Sequence, residues 1–285
     1  MNYVYEENDR MRTTREWKIK AKQALKGNYG LAIMGFYAVV IISVLGGNIS
    51  SALFPGVSAL HILLQFAFVF IFSLIASILT AGSGYLFLNI ARNRERSLGD
   101  LLFFFKNNPD RVIVVALVLS ILEVLASLPR NLYAYMVSLG DTLAQQTQWY
   151  STYLGLMCLS LVLQLLLSVP FSQAYYLLAD DPQMTGKEAL RKSMQMMKGN
   201  MGKYIWLHVT FLPWILMSVV TLYIALIWIL PYLMMTKIMF YRDLAGELDE
   251  EEGLGKGGYE LPPYVSGDLH QEEQQSPGDD YNAEA

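Results

Sequence analysis

The sequence predicts an all-α fold: a polytopic transmembrane helix bundle of six helices, built as three parallel repeats of an interfacial helix plus two spans. Three observations predict it. Apolar residues gather in long runs, basic residues crowd alternate connections, and one capped amphipathic segment occurs twice. Hydrophobic residues make up 54% of the 285 positions and charged ones only 16%. A soluble domain of this size carries about a quarter charged residues.

The chain reads as a polar extension over 1–12, a membrane domain over 13–244 and an acidic tail over 245–285. The tail holds twelve acidic residues against Lys256 alone, so the net charge of −4 leaves residues 1–244 near +7. Without apolar periodicity, and with Pro262-Pro263 and frequent glycines, the tail is expected to be disordered. It either stays solvated or binds a basic protein partner, and Leu261-Pro262-Pro263-Tyr264 is too short to specify a recognition module. Residues 1–29 lack an apolar h-region and a small-residue cleavage site, so no secretory signal is expected there. Cys158 lies in an apolar run, cannot form an intrachain disulfide, and reads as a buried, inert thiol. One cysteine and three scattered histidines make no thiolate zinc site and a poor metal set. No cofactor and no nucleic-acid partner is expected.

A helix needs ~20 apolar residues to cross a ~30 Å hydrocarbon core. The first span runs from Leu31 to about Ile49. The second, from about Val57 to Ala91, is longer than one perpendicular crossing, and Gly82 and Gly84 are expected to loosen it near the inner face. The third starts at Val112 and ends near Pro129, and the fourth runs from about Thr152 to Ala179. Tyr204 to Tyr241 gives 38 apolar-rich residues, enough for two short tilted helices turning around Val220 to Leu222. That turn has little loop signal, so counts of five or seven stay open. Spans two, four and six each carry a helix-weakening residue near one end: Gly82/Gly84, Pro170 and Pro231. Such kinks open a cavity toward the cytoplasm in transporters. They are also common in membrane helices whose neighbours re-satisfy the freed backbone groups.

Orientation follows from the basic residues. Arg10, Arg12, Arg15, Lys18, Lys20, Lys22 and Lys26 precede the first span. Arg92, Arg94, Arg96, Lys106 and Arg111 lie between spans two and three, and Lys187, Arg191, Lys192, Lys198 and Lys203 between four and five. The opposite connections contain only Arg130. This positive-inside bias places both termini in the cytoplasm.

The repeat is explicit in two segments. TTREWKIKAKQALKGNYG from Thr13 matches TGKEALRKSMQMMKGNMG from Thr185 under a single offset of 172. Thr13 with Glu16, and Thr185 with Glu188, form the capping-box pattern that satisfies backbone donors at a helix start. Lysine followed by Gly27-Asn28, and by Gly199-Asn200, is a helix stop with a residue free to take positive φ. Ser97 and Asp100 make a weaker third copy, with Leu98, Leu101, Leu102 and Phe105 at helical spacing. The repeat units are therefore about 13–91, 97–180 and 185–243, each returning to the same side.

These residues carry a resemblance. YYLLADDPQMTGKEALRKSMQMMKGNMGKYIWLH, then LIWILPYLMMTKIMFYRDL, resemble the C-terminal half of a membrane family catalogued as domain of unknown function 975. REWKIKAKQALKGNYGLAI resembles its opening segment, and the similarity covers roughly residues 12–244, with the acidic tail outside it. The resemblance implies a bacterial integral membrane protein and brings no catalytic residue or ligand.

Several polar residues are candidates for function. Glu123 lies near the middle of the third span, where a carboxylate is costly. It serves either a proton or cation pathway, or an interhelical hydrogen bond or pairing with Arg130 two turns on. Gln65, Gln164, His61 and His208 read as packing hydrogen bonds between helices. Asp180-Asp181-Pro182 is either a divalent-ion site or, more simply, a turn after the fourth span. Trp17, Ala21, Ala24 and Leu25 form an apolar stripe beside lysines, as in a helix lying on anionic lipid. Met194, Met196, Met197 and Met201 form an adaptable surface. The expected function is non-enzymatic, with an accessory, envelope or regulatory role at the bacterial cell membrane. The alternative is a small-solute transporter or channel using a cavity among kinked even-numbered helices. A lipid-modifying enzyme would need an interfacial His, Asp and Glu cluster that this sequence lacks.

Overall fold

The computed structural model describes residues 11–55 and 58–251, and every regular element among them is helical. The expectations for residues 1–10 and for the tail from residue 252, Lys256 and Pro262-Pro263 included, lie outside the described residues. Two compact units divide the chain. One is residues 12–241; the other, among the described residues, is Met11 and 242–251.

The first unit opens with α1 (Thr14–Leu25), started by a capping box in which the Thr13 amide donates to Glu16 Oε2 at 2.6 Å and the Glu16 amide donates to Thr13 Oγ1 at 3.4 Å. Lys26 and Gly27 end it, Gly27 at φ +84°. The Asn28 amide then donates to the Leu25 carbonyl and the Asn28 side chain to Ala24. The next helix, α2 (Tyr29–Leu53), follows directly, and α3 (Ala59–Ala91) returns against it. A 3-10 segment at Leu98–Leu102 and α4 (Phe103–Lys106) lead into α5 (Pro109–Met136). Its hairpin partner α6 (Leu143–Ser168) gives way to a 3-10 turn at Val169–Phe171, and the chain resumes as α7 (Ala174–Asp180).

The pattern at the start of the chain recurs at α8 (Gly186–Met197). The Thr185 amide donates to Glu188 Oε2 at 2.9 Å, Gly199 has φ +87°, and the Asn200 amide donates to the Met197 carbonyl. Helices α9 (Met201–Val209) and α10 (Leu212–Val220) follow, then α11 (Leu226–Leu244). The chain reverses over 221–225 with Leu222 and Tyr223 at positive φ, where the sequence indicated a turn.

Five helical stretches are long and apolar enough to cross a membrane: Tyr29–Ser50, Leu63–Ala91, Pro109–Met136, Leu143–Asp180 and Met201–Val220. The protein is a multi-pass helical membrane protein. The sixth expected crossing is a helix, α11, but Lys237, Arg242 and Asp243 make it more polar than those five.

Several expectations are corrected. Gly82 and Gly84 do not break α3, which is continuous. They admit neighbours instead: a Cβ on Gly82 would meet the Leu101 carbonyl oxygen at 2.1 Å, and one on Gly84 the Tyr176 ring at 3.1 Å. Pro129 and Pro231 lie inside α5 and α11, and only Pro170 coincides with a change of helix type. The stripe of α1 does not face lipid. Trp17, Ala21 and Leu25 are buried, with the Trp17 ring edge-on to Phe240 at 4.9 Å, because the protein's own core covers that face. In the third copy the buried pair is Leu101 and Phe104, while Leu98, Leu102 and Phe105 stay exposed. A 3-10 start repeats every three residues and so shifts the inward stripe. Cys158 is exposed on α6, a helix with one fully buried residue, Ser160. In the second unit, the tail begins with Gly246 at φ +82° and a short helix, α12 (Glu247–Glu251). Arg242 pairs with Glu247 at 2.7 Å and with Glu251. Residues 247–251 are thus helical, and the rest of the tail lies outside the described residues.

Burial is uneven within the first unit. Fully buried side chains cluster at the end bearing the basic connections, among them Leu86–Leu88, Phe104, Val112, Leu177, Leu178 and Met197. At the opposite end Tyr135, Met136, Leu143, Val220 and Leu222 are 80–90% exposed. Trp149 stacks on Tyr153 there at 5.1 Å and donates to the Val137 carbonyl, an aromatic anchor of the kind found at membrane interfaces.

Gly82→Ala is expected to cost about 1–3 kcal/mol, the usual scale of overpacking, because backbone rather than a side-chain tip stands in the way. Thermal unfolding in detergent checks this; Gly155→Ala, with open space around it, should be neutral. Hydrogen bonds from Thr185 hold the Glu188 carboxyl below its ordinary value of 4.5. A lowered folded-state value means that the cap is fully formed above 4.5 and is lost as pH falls through the lowered value. Amide protection in α8, taken relative to the intrinsic exchange rate at each pH, should therefore fall on acidification, and Glu188→Gln, which keeps the cap but does not ionise, should remove that dependence.

Candidate functional site

Two kinds of polar site emerge in residues 12–241: a charged knot at the basic end, and cavities farther along the helices.

The knot is centred on Asp180, the last residue of α7, buried to 3% exposure. Arg92, which caps α3, grips it with both guanidinium nitrogens at 2.6 and 2.8 Å. The Tyr241 hydroxyl of α11 donates to the same carboxylate at 2.5 Å. Charge-assisted, bidentate geometry of this kind satisfies a carboxylate that burial would otherwise penalise. Asp181 has a different role. Its carboxylate accepts the Gln183 and Met184 amides at 2.9 and 3.2 Å, the turn the sequence favoured. Arg111 donates to the Asp181 and Met184 carbonyls. The two carboxylates are thus committed separately, and among the described residues no three of His, Cys, Asp and Glu gather to hold a metal.

The first cavity, of about 440 Å³, is lined from α2, α3, α5, α6 and α7. Glu123 is its single charged residue, accompanied by Gln164 and by the hydroxyls of Ser73, Ser77, Ser120 and Tyr175. Glu123 and Arg130 form no ion pair: the Arg130 Nε donates to Asn131 at 3.4 Å, and Glu123 has no polar partner among the described residues. Proximity along one helix did not suffice, because residues seven apart differ by about two turns, ~10 Å along the axis. Of the other polar residues in spans, Gln164 joins this cavity. His61 Nδ1 sits 2.6 Å from the Ser58 hydroxyl at the start of α3, and His208 Nδ1 lies 2.9 Å from the Tyr204 carbonyl. Both histidines bond locally, not between helices. Gln65 takes part through its carbonyl, accepting from Ser50 at 3.4 Å.

A second cavity of about 520 Å³ shares Ser43, Thr80, Leu119, Ser168 and Tyr175 with the first. Lys237 on α11 is its one charged residue. Sequence reasoning missed Lys237, although a lysine inside the last apolar run was visible. It also missed the hydroxyl row of α3, Ser73, Ser77 and Thr80, whose spacing of four and three puts it on one helix face. Partners for Asp180 were not legible, since 88 and 61 residues separate it from Arg92 and Tyr241.

A family model described as "Protein of unknown function (DUF975)" matches residues 11–247. The chain belongs to that family. The DUF975 region takes in α1 to α11, both cavities and the whole Asp180 knot. No curated protein and no solved structure matches the chain.

Asp180→Asn is expected to destabilise the protein by about 3–5 kcal/mol, the scale of breaking a buried pair. The check is unfolding in detergent. Arg92→Gln combined with Asp180→Asn should cost less than the sum of the two single changes.

Proposed function

We propose that this is a non-enzymatic protein of the bacterial plasma membrane whose helices admit a small polar solute or ion to the cavity at Glu123. The observation that carries the reading is Glu123 itself. It is a carboxylate without a polar partner among the described residues, midway along α5, in the wall of a cavity that also holds serine, threonine and tyrosine side chains. A carboxylate at that depth is costly and marks proton or ion routes in membrane proteins. Transport therefore takes precedence over the accessory, envelope or regulatory role favoured by sequence alone, because a tightly packed apolar bundle would have supported the latter.

The topology we propose is six spans in three parallel units, with α11 as the sixth. The matching caps of α1 and α8, 172 residues apart, support the repeat. The one-sided Lys/Arg distribution supports cytoplasmic termini. Arg15, Lys22 and Lys26 remain exposed on α1 and supply charge for anionic lipid at that face, while its apolar side is engaged by protein. The net negative charge of residues 245–285 supports a basic protein partner for the tail.

Glu123→Gln in proteoliposomes is expected to lower proton or potassium flux by roughly a hundredfold, the scale of losing a positioned proton-transfer group. Flux equal to the unaltered protein would return the accessory reading to first place. Cysteine placed at Ser77 in a Cys158→Ser background should react with a membrane-impermeant thiol reagent. Failure to label would mean that water does not reach the cavity.

A further inference from the structure

The cavity beside Lys237 differs from its neighbour in chemistry. Its polar wall is the Lys237 ammonium with the hydroxyls of Ser172, Tyr175 and Tyr204, and its apolar wall comes from Phe36, Val40 and Phe171. Lys237 has no ion pair or hydrogen bond among the described residues. The buried carboxylate at this end of the unit, Asp180, is already held by Arg92 and Tyr241. An ammonium facing an apolar wall is expensive without a counter-charge. Here the chamber's lining contains hydroxyl side chains and no acid. An unpaired cation beside an apolar wall, with tyrosine hydroxyls in the same lining, is the kind of feature by which pockets recognise an anionic group carrying a hydrocarbon part. A volume of about 520 Å³ falls in the ~300–1,000 Å³ range of small-molecule sites.

We propose that this chamber binds a single-chain amphipathic anion, a carboxylate or phosphate monoester, with its head group on Lys237 and its chain along Phe36, Val40 and Phe171. The site is distinct from the Glu123 reading and does not rest on it. A protein that passes nothing through the Glu123 cavity still has this chamber.

The test is equilibrium binding of radiolabelled dodecyl phosphate to the full-length protein in phosphatidylcholine nanodiscs, with empty nanodiscs as the blank. Saturable binding is expected, weaker by about tenfold or more in Lys237→Met, the loss of a charge-assisted bond, and largely kept in Lys237→Arg. Unlabelled dodecanoate should compete, and dodecyltrimethylammonium should not. Unchanged affinity in Lys237→Met, or equal competition by the cationic amphiphile, overturns the proposal. Competition by inorganic phosphate at matching concentration overturns the role of the chain. Competition by phosphatidylglycerol at matching concentration overturns the single-chain assignment. If Lys237→Met is not recovered folded, Val40→Trp, which fills the apolar wall, replaces it. Full binding by folded Val40→Trp overturns the site.

Discussion

The Asp180 carboxylate is the constraint on which the first unit depends. Three helices that follow three different capped segments end within its reach: α3 through Arg92, α7 through Asp180, and α11 through Tyr241. A buried carboxylate tolerates burial only if its oxygens are filled by donors, so these three ends stand in fixed register. Neighbouring polar contacts reinforce the same end. Arg111 ties α5 to the turn before α8, and Arg96 donates to Asn28 at 3.0 Å, joining the segment after α3 to the start of α2. Lys18 donates to the Thr210 carbonyl over the Phe211 ring, and Tyr232 donates to the Lys18 carbonyl. This holds α1 against both the α9–α10 joint and α11.

Burial concentrates at that end, and large apolar side chains at the other are exposed. Lipid tails are as apolar as leucine, so nothing of hydrophobic origin drives the spans together along their length. Close approach occurs instead where glycine permits it, as at Gly82 beneath Leu101 and at Gly186 against Arg111 and Val114. The two cavities lie between helices elsewhere in the same unit. Serine and threonine hydroxyls can bond back to the carbonyl three or four residues earlier, as Ser77 and Thr80 do, and so line a space without needing a partner across it.

The two lone charges have different settings: Glu123 shares its cavity with serine, threonine and tyrosine hydroxyls, and Lys237 shares its own with hydroxyls and aromatic rings. The cavities share Ser43, Thr80, Leu119, Ser168 and Tyr175 in their walls. Tyr175 belongs to the short helix that ends in Asp180, which links both cavities to the charged knot.

Local chemistry was determined by the sequence alone. Thr13 with Glu16, Thr185 with Glu188, and Lys-Gly-Asn after each helix specify starts and stops through hydrogen bonds spanning three or four residues. Thr142 with Gln145 does the same at α6, a capping box that lengthens the fourth span beyond its apolar run. Long apolar runs likewise determined that lipid surrounds the helices. Only the tertiary structure decided which face of each helix meets protein. The stripe of α1 reads equally well as lipid-facing or core-facing, and Phe240, more than two hundred residues away, settles it for Trp17. Glycines in α3 read as kinks until the backbone at Leu101 occupies the space they leave. Asp180 reads as a turn residue until Arg92 and Tyr241 reach it. In each case the deciding partner is distant in sequence, and periodicity and spacing carry information only about neighbours within a few turns.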